Sequence, residues 1–326
     1  MSGIAPPPII GESPAIRRAV CLLDRYAATR MSILLVGATG TGKELFAQHV
    51  HHRSGRSGEL VDVDCGALPR DMVEGLLLGF RRGAFTGATD DRVGLIEQSD
   101  GGALLLDEVL SLPEDCQRKL LRVLDTAEVR RLGDARKRPV DLRVVSTAQE
   151  DTDDRVARGA LRRDLYERLS GVVIVLPPLA ARPEDVAPLA RYFAALQGQR
   201  LEPGAKSVLE DYAWPGNVRE LRKVIARAGP LVANGSLPPS AVAEAIALGA
   251  LRQSSVTSRV AASQVLRGMT RSELRATCAV HEWDARRIAA ALGVGRTTLF
   301  KGLRAAGVSL RPPSEFASSL SGANAD

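Results

Sequence analysis

The chain has 326 residues, 45% hydrophobic and 25% charged, with a net charge of +6 and an isoelectric point near 9.4. At ~150 residues per domain this suggests about two folded domains; it excludes a mostly disordered protein, and the basic balance permits a nucleic-acid partner. Four widely spaced cysteines (Cys21, Cys65, Cys116, Cys278) without a CxxC pair exclude a disulfide scaffold and fit a reducing cytosol, no apolar run reaches the ~18 residues of a membrane span, and the start MSGIAPPPIIGESP lacks the basic-then-apolar order of a signal peptide.

In chain order, residues 32–36 (SILLV), 60–64 (LVDVD), 103–107 (ALLLD), 140–146 (VDLRVVS) and 172–176 (VVIVL) read as short strands. Several are almost continuously apolar, as strands buried on both faces are. Helical patterns lie between them, such as 113–124 with Leu120, Leu121 and Leu124 on one face. Strands alternating with helices predict an α/β fold with a parallel sheet sandwiched by helices. Pro177-Pro178 ends the last strand run, and 181–197, 203–212 and 216–228 read as three helices. NGSLPPS (234–240) is a breaker cluster, 252–263 a Ser-rich linker, 270–308 helical again, and 312–326 a Ser/Ala/Pro tail predicted to be disordered. The predicted boundaries are 1–178 for the α/β part, 179–245 for an all-helical part, 246–268 for a linker, 269–311 for a small helical domain and 312–326 for the tail.

Gly37-Ala38-Thr39-Gly40-Thr41-Gly42-Lys43 follows the first strand and precedes a helix, matching G-x-x-x-x-G-K. The glycines let backbone N–H groups curl round phosphate oxygens, the helix N-terminus faces the same anion, and Lys43 reaches the β- and γ-phosphates. Glu44 stands where Ser or Thr usually ligates Mg²⁺. The strand 103–107 ends in Asp107-Glu108. An Asp there can hold Mg²⁺ through water, and the following Glu can polarise an attacking water. Together the two motifs predict ATP binding and hydrolysis.

Between them lies Gly83-Ala84-Phe85-Thr86-Gly87-Ala88, GAFTGA, flanked by LGFRR and GLIE. With GATGTGKE (37–44), LLRVL (120–124), RDLYERL (163–169), LPPL (176–179) and WPGNVREL (214–221), the chain resembles the AAA+ activators of the sigma-54 form of bacterial RNA polymerase. The resemblance runs from about Ile10 to Leu231 and again from Arg271 to Val308, and Glu44 is common in that family. It implies a cytoplasmic P-loop NTPase with an all-α lid, forming a homo-oligomeric ring, usually a hexamer, with ATP and Mg²⁺ between subunits. It further implies that GAFTGA touches the sigma factor, that Arg162 and Arg168 reach a neighbour's ATP, and that Arg219 senses nucleotide in its own subunit. Six residues on one straight helix would set Arg162 and Arg168 ~9 Å apart along the axis and ~120° apart around it, so different partners or a local break are expected. Glycines at 83 and 87 let the loop refold, and an exposed Phe85 suits an interface.

The chain also departs from the family. Asp64 replaces Asn, Ser146-Thr147-Ala148-Gln149 replaces Ala-Ala-Thr-Asn, and Phe80-Arg81 replaces His-Glu. The resemblance implies that the family's Asn holds the residue matching Glu108; an ionised Asp64 has no donor for this, so either a proton shared between the two acts as the switch or Mg²⁺ or a nearby arginine neutralises Asp64.

Residues 283–292 read as an amphipathic helix, Gly293-Val294 as a turn, and 295–306 as a second helix carrying Arg296, Thr297, Thr298, Lys301 and Arg304. From His281 to Arg311 six basic residues, Arg286 among them, face two acidic ones, which suits the major groove of double-stranded DNA. Ile288, Ala291, Leu292, Val294, Leu299 and Leu303 are its predicted core. The segment resembles the Fis-type helix-turn-helix domain. The leading expectation is an ATP-hydrolysing, DNA-bound activator. With the ATPase starting near Ile10 and no receiver domain before it, control is expected from an inhibitory or co-activator protein, expression level or assembly. A DNA-binding subunit of a mixed ring with little ATPase of its own is the alternative, favoured by Asp64 and Gln149. An unrelated AAA+ unfoldase is opposed by the GAFTGA loop and the terminal helices.

Overall fold

Five of the apolar runs pair into one parallel sheet, in the order Leu60–Asp64, Ala103–Asp107, Arg143–Ala148, Ile33–Val36, Val172–Val175. The computed structural model describes residues 6–69, 72–249, 271–281, 283–292 and 296–308. Alternate residues of the strands point to opposite faces. Leu34, Leu104, Leu106 and Val144 pack on one face with Leu77, Leu120 and Leu165. Ile33, Leu35, Leu105 and Val145 pack on the other with Leu23 and Phe46. Helices Val73–Leu78, Glu114–Thr126 and Arg163–Leu169 thus cover the first face, and Pro14–Ala27 and Lys43–Arg53 the second. Ser13 caps the first of these helices by accepting from the Ile16 N–H, with Pro14 just inside.

Three predicted elements are corrected. The fourth strand is Arg143–Ala148 rather than 140–146. Ser146 and Thr147 look like turn residues, but both lie wholly buried on a central strand. The single helix expected over 181–197 is broken: 3₁₀ turns Leu179–Ala181 and Pro183–Asp185 precede a helix over Val186–Ala195. Pro183 lacks the N–H that a continuous helix would use. The breaker cluster 234–240 contains a two-residue strand, Ser236–Leu237, and the start of a helix over 239–249 at Pro239. That helix runs past the predicted lid boundary at 245. The helices expected over 203–212 and 216–228 are Ala205–Glu210 and Asn217–Ala228.

The chain divides into two units, Met1–Ala243 and Glu244–Asp326. In the second, helices Arg271–Val280, Ala285–Ala291 and Arg296–Ala305 close over Leu274, Cys278, Ile288, Leu299, Leu303 and Val308. The Asp284 carboxylate accepts from the Arg286 N–H (2.6 Å) and Arg287 N–H (3.1 Å), starting the middle helix. These amides hold its carboxyl below the usual carboxylate value. Ala291, expected in the core, is exposed. The inward face runs through 285, 288, 289 and 292, and 291 falls off that helical stripe. Val294, the greater part of the 246–268 linker and the 312–326 tail lie outside the described residues. No described helix is long and apolar enough to cross a membrane.

Candidate nucleotide site and GAFTGA loop

The phosphate loop joins the all-buried strand Ile33–Val36 to the helix that begins at Lys43. Lys43 Nζ donates to the Gly37 carbonyl (2.6 Å) and the Ala38 carbonyl (3.2 Å), folding the ammonium into its own loop. Burial lowers the Lys43 pKa from the ordinary lysine value, nearby Asp107 and Glu108 partly offset this, and Arg219 adds to the fall. Gly40 has φ +83°, and a Cβ there would strike the Gly216 carbonyl. Thr41 Oγ1 donates to the Ala38 carbonyl (2.9 Å), while Thr39 and Glu44 are exposed.

The helical part grips this loop from the other side. Asn217, buried with φ +53°, donates from Nδ2 to the Thr39 carbonyl (3.0 Å) and accepts at Oδ1 from the Leu179 N–H (2.7 Å). The Arg219 N–H donates to the Gly40 carbonyl (3.2 Å), and its guanidinium makes no ion pair among the described residues. Arg182 donates to the Thr41 carbonyl (3.1 Å) and faces Asp185 at 3.7 Å, both buried. Asp185 in turn accepts from the N–H groups of Glu12 (2.6 Å) and Ser13 (2.7 Å). Asn217, Arg182 and Asp185 were not singled out from the sequence. The only trace of them was Asn immediately after Gly at a helix start, and an RPED turn at the beginning of the helical part.

The sheet register sets Asp64 directly beside Asp107. Asp107 Oδ1 accepts from the Thr147 hydroxyl, and Oδ2 has no hydrogen-bond partner among the described residues. Glu108 follows in a left-handed conformation (φ 52°, ψ 50°), a strained backbone for a residue with a Cβ and of a kind that clusters at functional sites. In the nucleotide-free protein Asp64 and Glu108 share no hydrogen bond; Asp64 Oδ1 accepts from the N–H groups of Gly66 (2.9 Å) and Ala67 (3.1 Å). Two backbone donors already satisfy that oxygen. Asp62, two residues back on the same strand, has its pKa raised by burial and then by Glu44, Asp107 and Asp64. Asp107 and Glu108 are the carboxylates that act most on Lys43, and together with phosphates they would suit a hard cation such as Mg²⁺, which binds through one or two carboxylates. Among the described residues no group of three or more His, Cys, Asp or Glu could hold a metal by itself.

Arg162 and Arg168 are not on one helix. Arg162 is the extended residue before Arg163–Leu169 (φ −60°, ψ 136°), and its guanidinium forks onto Asp164 at 3.1 and 2.7 Å. Arg168 in the last turn pairs with Asp125 at 2.8 Å.

The GAFTGA loop follows the helix Val73–Leu78, which covers the first face, and the short strand Gly79–Phe80. Phe85 is 47% exposed and meets Phe80 edge to face, centroids 5.0 Å apart. Gly83 and Gly87 have φ +81° and +100°. The Gly83 N–H donates to the Ala88 carbonyl (2.9 Å) and closes the loop, while Thr86 is exposed. Arg81 pairs with Asp91 at 2.5 Å across the loop base. A second loop, between the paired strands Glu128–Val129 and Arg138–Pro139, braces the first. The Arg81 N–H donates to the Leu132 carbonyl (3.0 Å), and Gly133 lies against Ala84. Glu97 receives Arg131 in a fork at 2.8 and 2.7 Å. That bond holds the Glu97 carboxyl below the usual value against the effect of burial. In the second unit Arg286, Lys301 and Arg304 are exposed, and the side chains of Arg296, Thr297 and Thr298 lie outside the described residues.

A parallel sheet between helices, a phosphate loop and a helical lid define an AAA+ P-loop NTPase fold. Residues 9–175 match the sigma-54 interaction domain and residues 180–258 the AAA+ ATPase lid domain, so the chain belongs to the family of sigma-54-dependent transcriptional activators. It is 44% identical over 225 residues to the transcriptional activator RocR of Bacillus subtilis (strain 168), covering 67% of this chain and 49% of RocR. It is 42% identical over 232 residues to the sigma54-dependent transcriptional regulator SfnR of Pseudomonas fluorescens, covering 69% and 63%. The match therefore spans about half to under two thirds of these relatives. Among solved structures it is similar to NtrX from Brucella abortus in complex with ATP, with TM-score 0.66 and 29% identity over 93% of this chain and 70% of that one.

Proposed function

We propose that the chain is an ATP-hydrolysing activator that binds upstream DNA and remodels sigma-54 RNA polymerase through Gly83–Ala88. The observation that carries this reading is an exposed aromatic loop braced on the same body as a lysine–carboxylate phosphate site. Gly37–Glu44 would cradle ATP, with Arg219 beside it; that NtrX was solved with ATP supports this. Asp107 would hold Mg²⁺ through water, its Oδ2 being the unengaged oxygen. The ion would draw charge from the phosphates, and Glu108 would take the proton of the attacking water. Arg162 and Arg168 would complete the neighbour's site in a homo-oligomeric ring. Residues 179–245 would act as lid, 246–268 as linker and 269–311 as helix-turn-helix, with 312–326 a tail. Arg286, Arg296, Thr297, Thr298, Lys301 and Arg304 would face DNA, and phosphate contacts would make binding fall steeply with salt. The departures at Asp64 and Gln149 favour a second reading, a subunit of a mixed ring with little turnover of its own. Phosphate release from the purified chain separates the two.

The test of the first reading is uncoupling. Phe85→Ala or Thr86→Ala is expected to leave ATP turnover within a few-fold of wild type. Open-promoter yield is expected to fall about 30-fold, the size of a hot-spot aromatic near 2 kcal/mol. Normal promoter opening by both variants removes the loop from the reading. Lys43→Ala is expected to weaken ATP at least 10- to 100-fold in calorimetry, since a charged hydrogen bond contributes roughly 1.5–3 kcal/mol. Unchanged affinity excludes Lys43 from the site.

A further inference from the structure

The strand Arg143–Ala148 is the middle of the sheet, hydrogen-bonded to Ala103–Asp107 on one side and Ile33–Val36 on the other. Val145 and Leu105 share the face that packs on Phe46. Two residues further along each strand, Thr147 and Asp107 share that same face. Val144 and Ala148 point to the opposite one, with Leu104 and Leu106.

Thr147 is fully buried, and both ends of its hydroxyl are in use. Oγ1 donates to Asp107 Oδ1 and accepts from the Glu108 N–H at 3.0 Å. One hydroxyl, with one donor and two acceptor sites, thereby ties the last residue of the Ala103–Asp107 strand to the left-handed residue after it. The neighbouring Ser146 is equally buried, and its Oγ has no hydrogen-bond partner. Of two adjacent buried hydroxyls on opposite faces of the strand, the first is wired to the acidic pair and the second is idle.

We propose that Thr147 is a positioning residue for Asp107 and Glu108. Its proton occupies Oδ1 of Asp107 and leaves Oδ2 as the free carboxylate oxygen. Its lone pair anchors the Glu108 amide at the backbone corner from which the Glu108 side chain departs. The inference rests on the ATPase reading for its kinetic consequence, but the wiring itself is a property of the nucleotide-free protein. Groups that orient the residues of a metal or catalytic site are worth about 10- to 100-fold in affinity or activity when removed.

The test uses the full chain and four variants. Thr147→Val keeps the shape and removes the hydroxyl, Thr147→Ala removes it with less volume held in place, Thr147→Ser keeps it, and Ser146→Ala removes the idle one. Without nucleotide, amide exchange at Glu108 is expected to speed up at least tenfold in Thr147→Val and Thr147→Ala, and to stay at the wild-type rate in Thr147→Ser and Ser146→Ala. In turnover, Thr147→Val is expected to lose about 10- to 100-fold in kcat with KM for ATP within threefold, and to need about tenfold more Mg²⁺ for half-maximal rate. Thr147→Ser is expected to recover to within a few-fold. Wild-type exchange at Glu108 in both hydroxyl-free variants overturns the proposal. So does a Thr147→Ser variant as impaired as Thr147→Val in folded protein, since volume rather than the hydroxyl then matters. If wild type binds ATP without turning it over, the ATPase reading fails and the exchange rates still decide the role of Thr147.

Discussion

Glu108→Gln is expected to bind ATP as wild type does and to turn it over about 10²- to 10⁴-fold more slowly, the usual worth of a positioned general base. Gln matches Glu in shape and rotamer number, and the Glu108 backbone is held by groups the substitution leaves alone. Its N–H goes to Thr147 and its carbonyl accepts from the Ser111 N–H at 2.8 Å. The left-handed conformation at φ 52° should therefore survive, and with it the fold of the loop after the strand. What disappears is a carboxylate able to accept a proton from water; an amide oxygen is far too weak a base. The positive charge of Lys43 meets one less counter-charge, since Glu108 is among the groups that raise the Lys43 value. A modest change in ATP affinity is thus compatible with the assignment, and a preserved turnover is not. Single-turnover phosphate release with excess enzyme reads the chemical step without product release. A rate within threefold of wild type there places the base elsewhere.

How far the site could be read from the chain depends on whether a residue's role is local. The phosphate loop was legible because glycines at 37, 40 and 42 after SILLV state the backbone path by themselves. The sheet was legible because Ile33–Val36 and Ala103–Asp107 are apolar on both faces, which strands on a sheet edge or surface rarely are. Thr147 was visible only as a departure. Its meaning depends on which face of a buried strand it occupies and on the neighbour across the ladder, and neither is written in nearby residues. The local partners of Asp64 were hidden for the same reason in reverse: the sequence draws attention to the distant Glu108, while Oδ1 accepts from the amides two and three residues on. Asn217 and Arg182 reach the phosphate loop from 178 and 141 residues away, and no local pattern encodes a contact at that separation. The broken helix before Val186 was legible in principle, since Pro183 stands inside the predicted span, and the apolar periodicity around it masked the break.

Arg162→Ala and Arg168→Ala are each expected to be inactive alone and to regain turnover when mixed with an equally inactive Lys43→Ala chain. An arginine delivered to a transferring phosphate is worth roughly 10³- to 10⁵-fold, so either single variant should sit near background. The two arginines, six residues apart, are not held on one straight helix. The chain is extended at Arg162 and helical from Arg163, which breaks the rigid ~120° relation that a continuous helix would impose. Both guanidiniums now rest on carboxylates of their own subunit, Asp164 and Asp125. These pairs are exposed, and exposed ion pairs contribute little, so exchange for a more highly charged phosphate is energetically open. In a head-to-tail ring each site is built from two subunits. A subunit with intact Lys43 but no Arg162 then works when its neighbour is the Lys43→Ala chain, which still carries Arg162. With random mixing the productive interfaces reach about a quarter of the total at equal proportions, so activity should peak there and fall toward both ends. Arginines that act within their own subunit give no such peak. Flat background activity across all ratios, in rings shown by mass to contain both chains, would return Arg162 and Arg168 to the role of surface ion-pair residues.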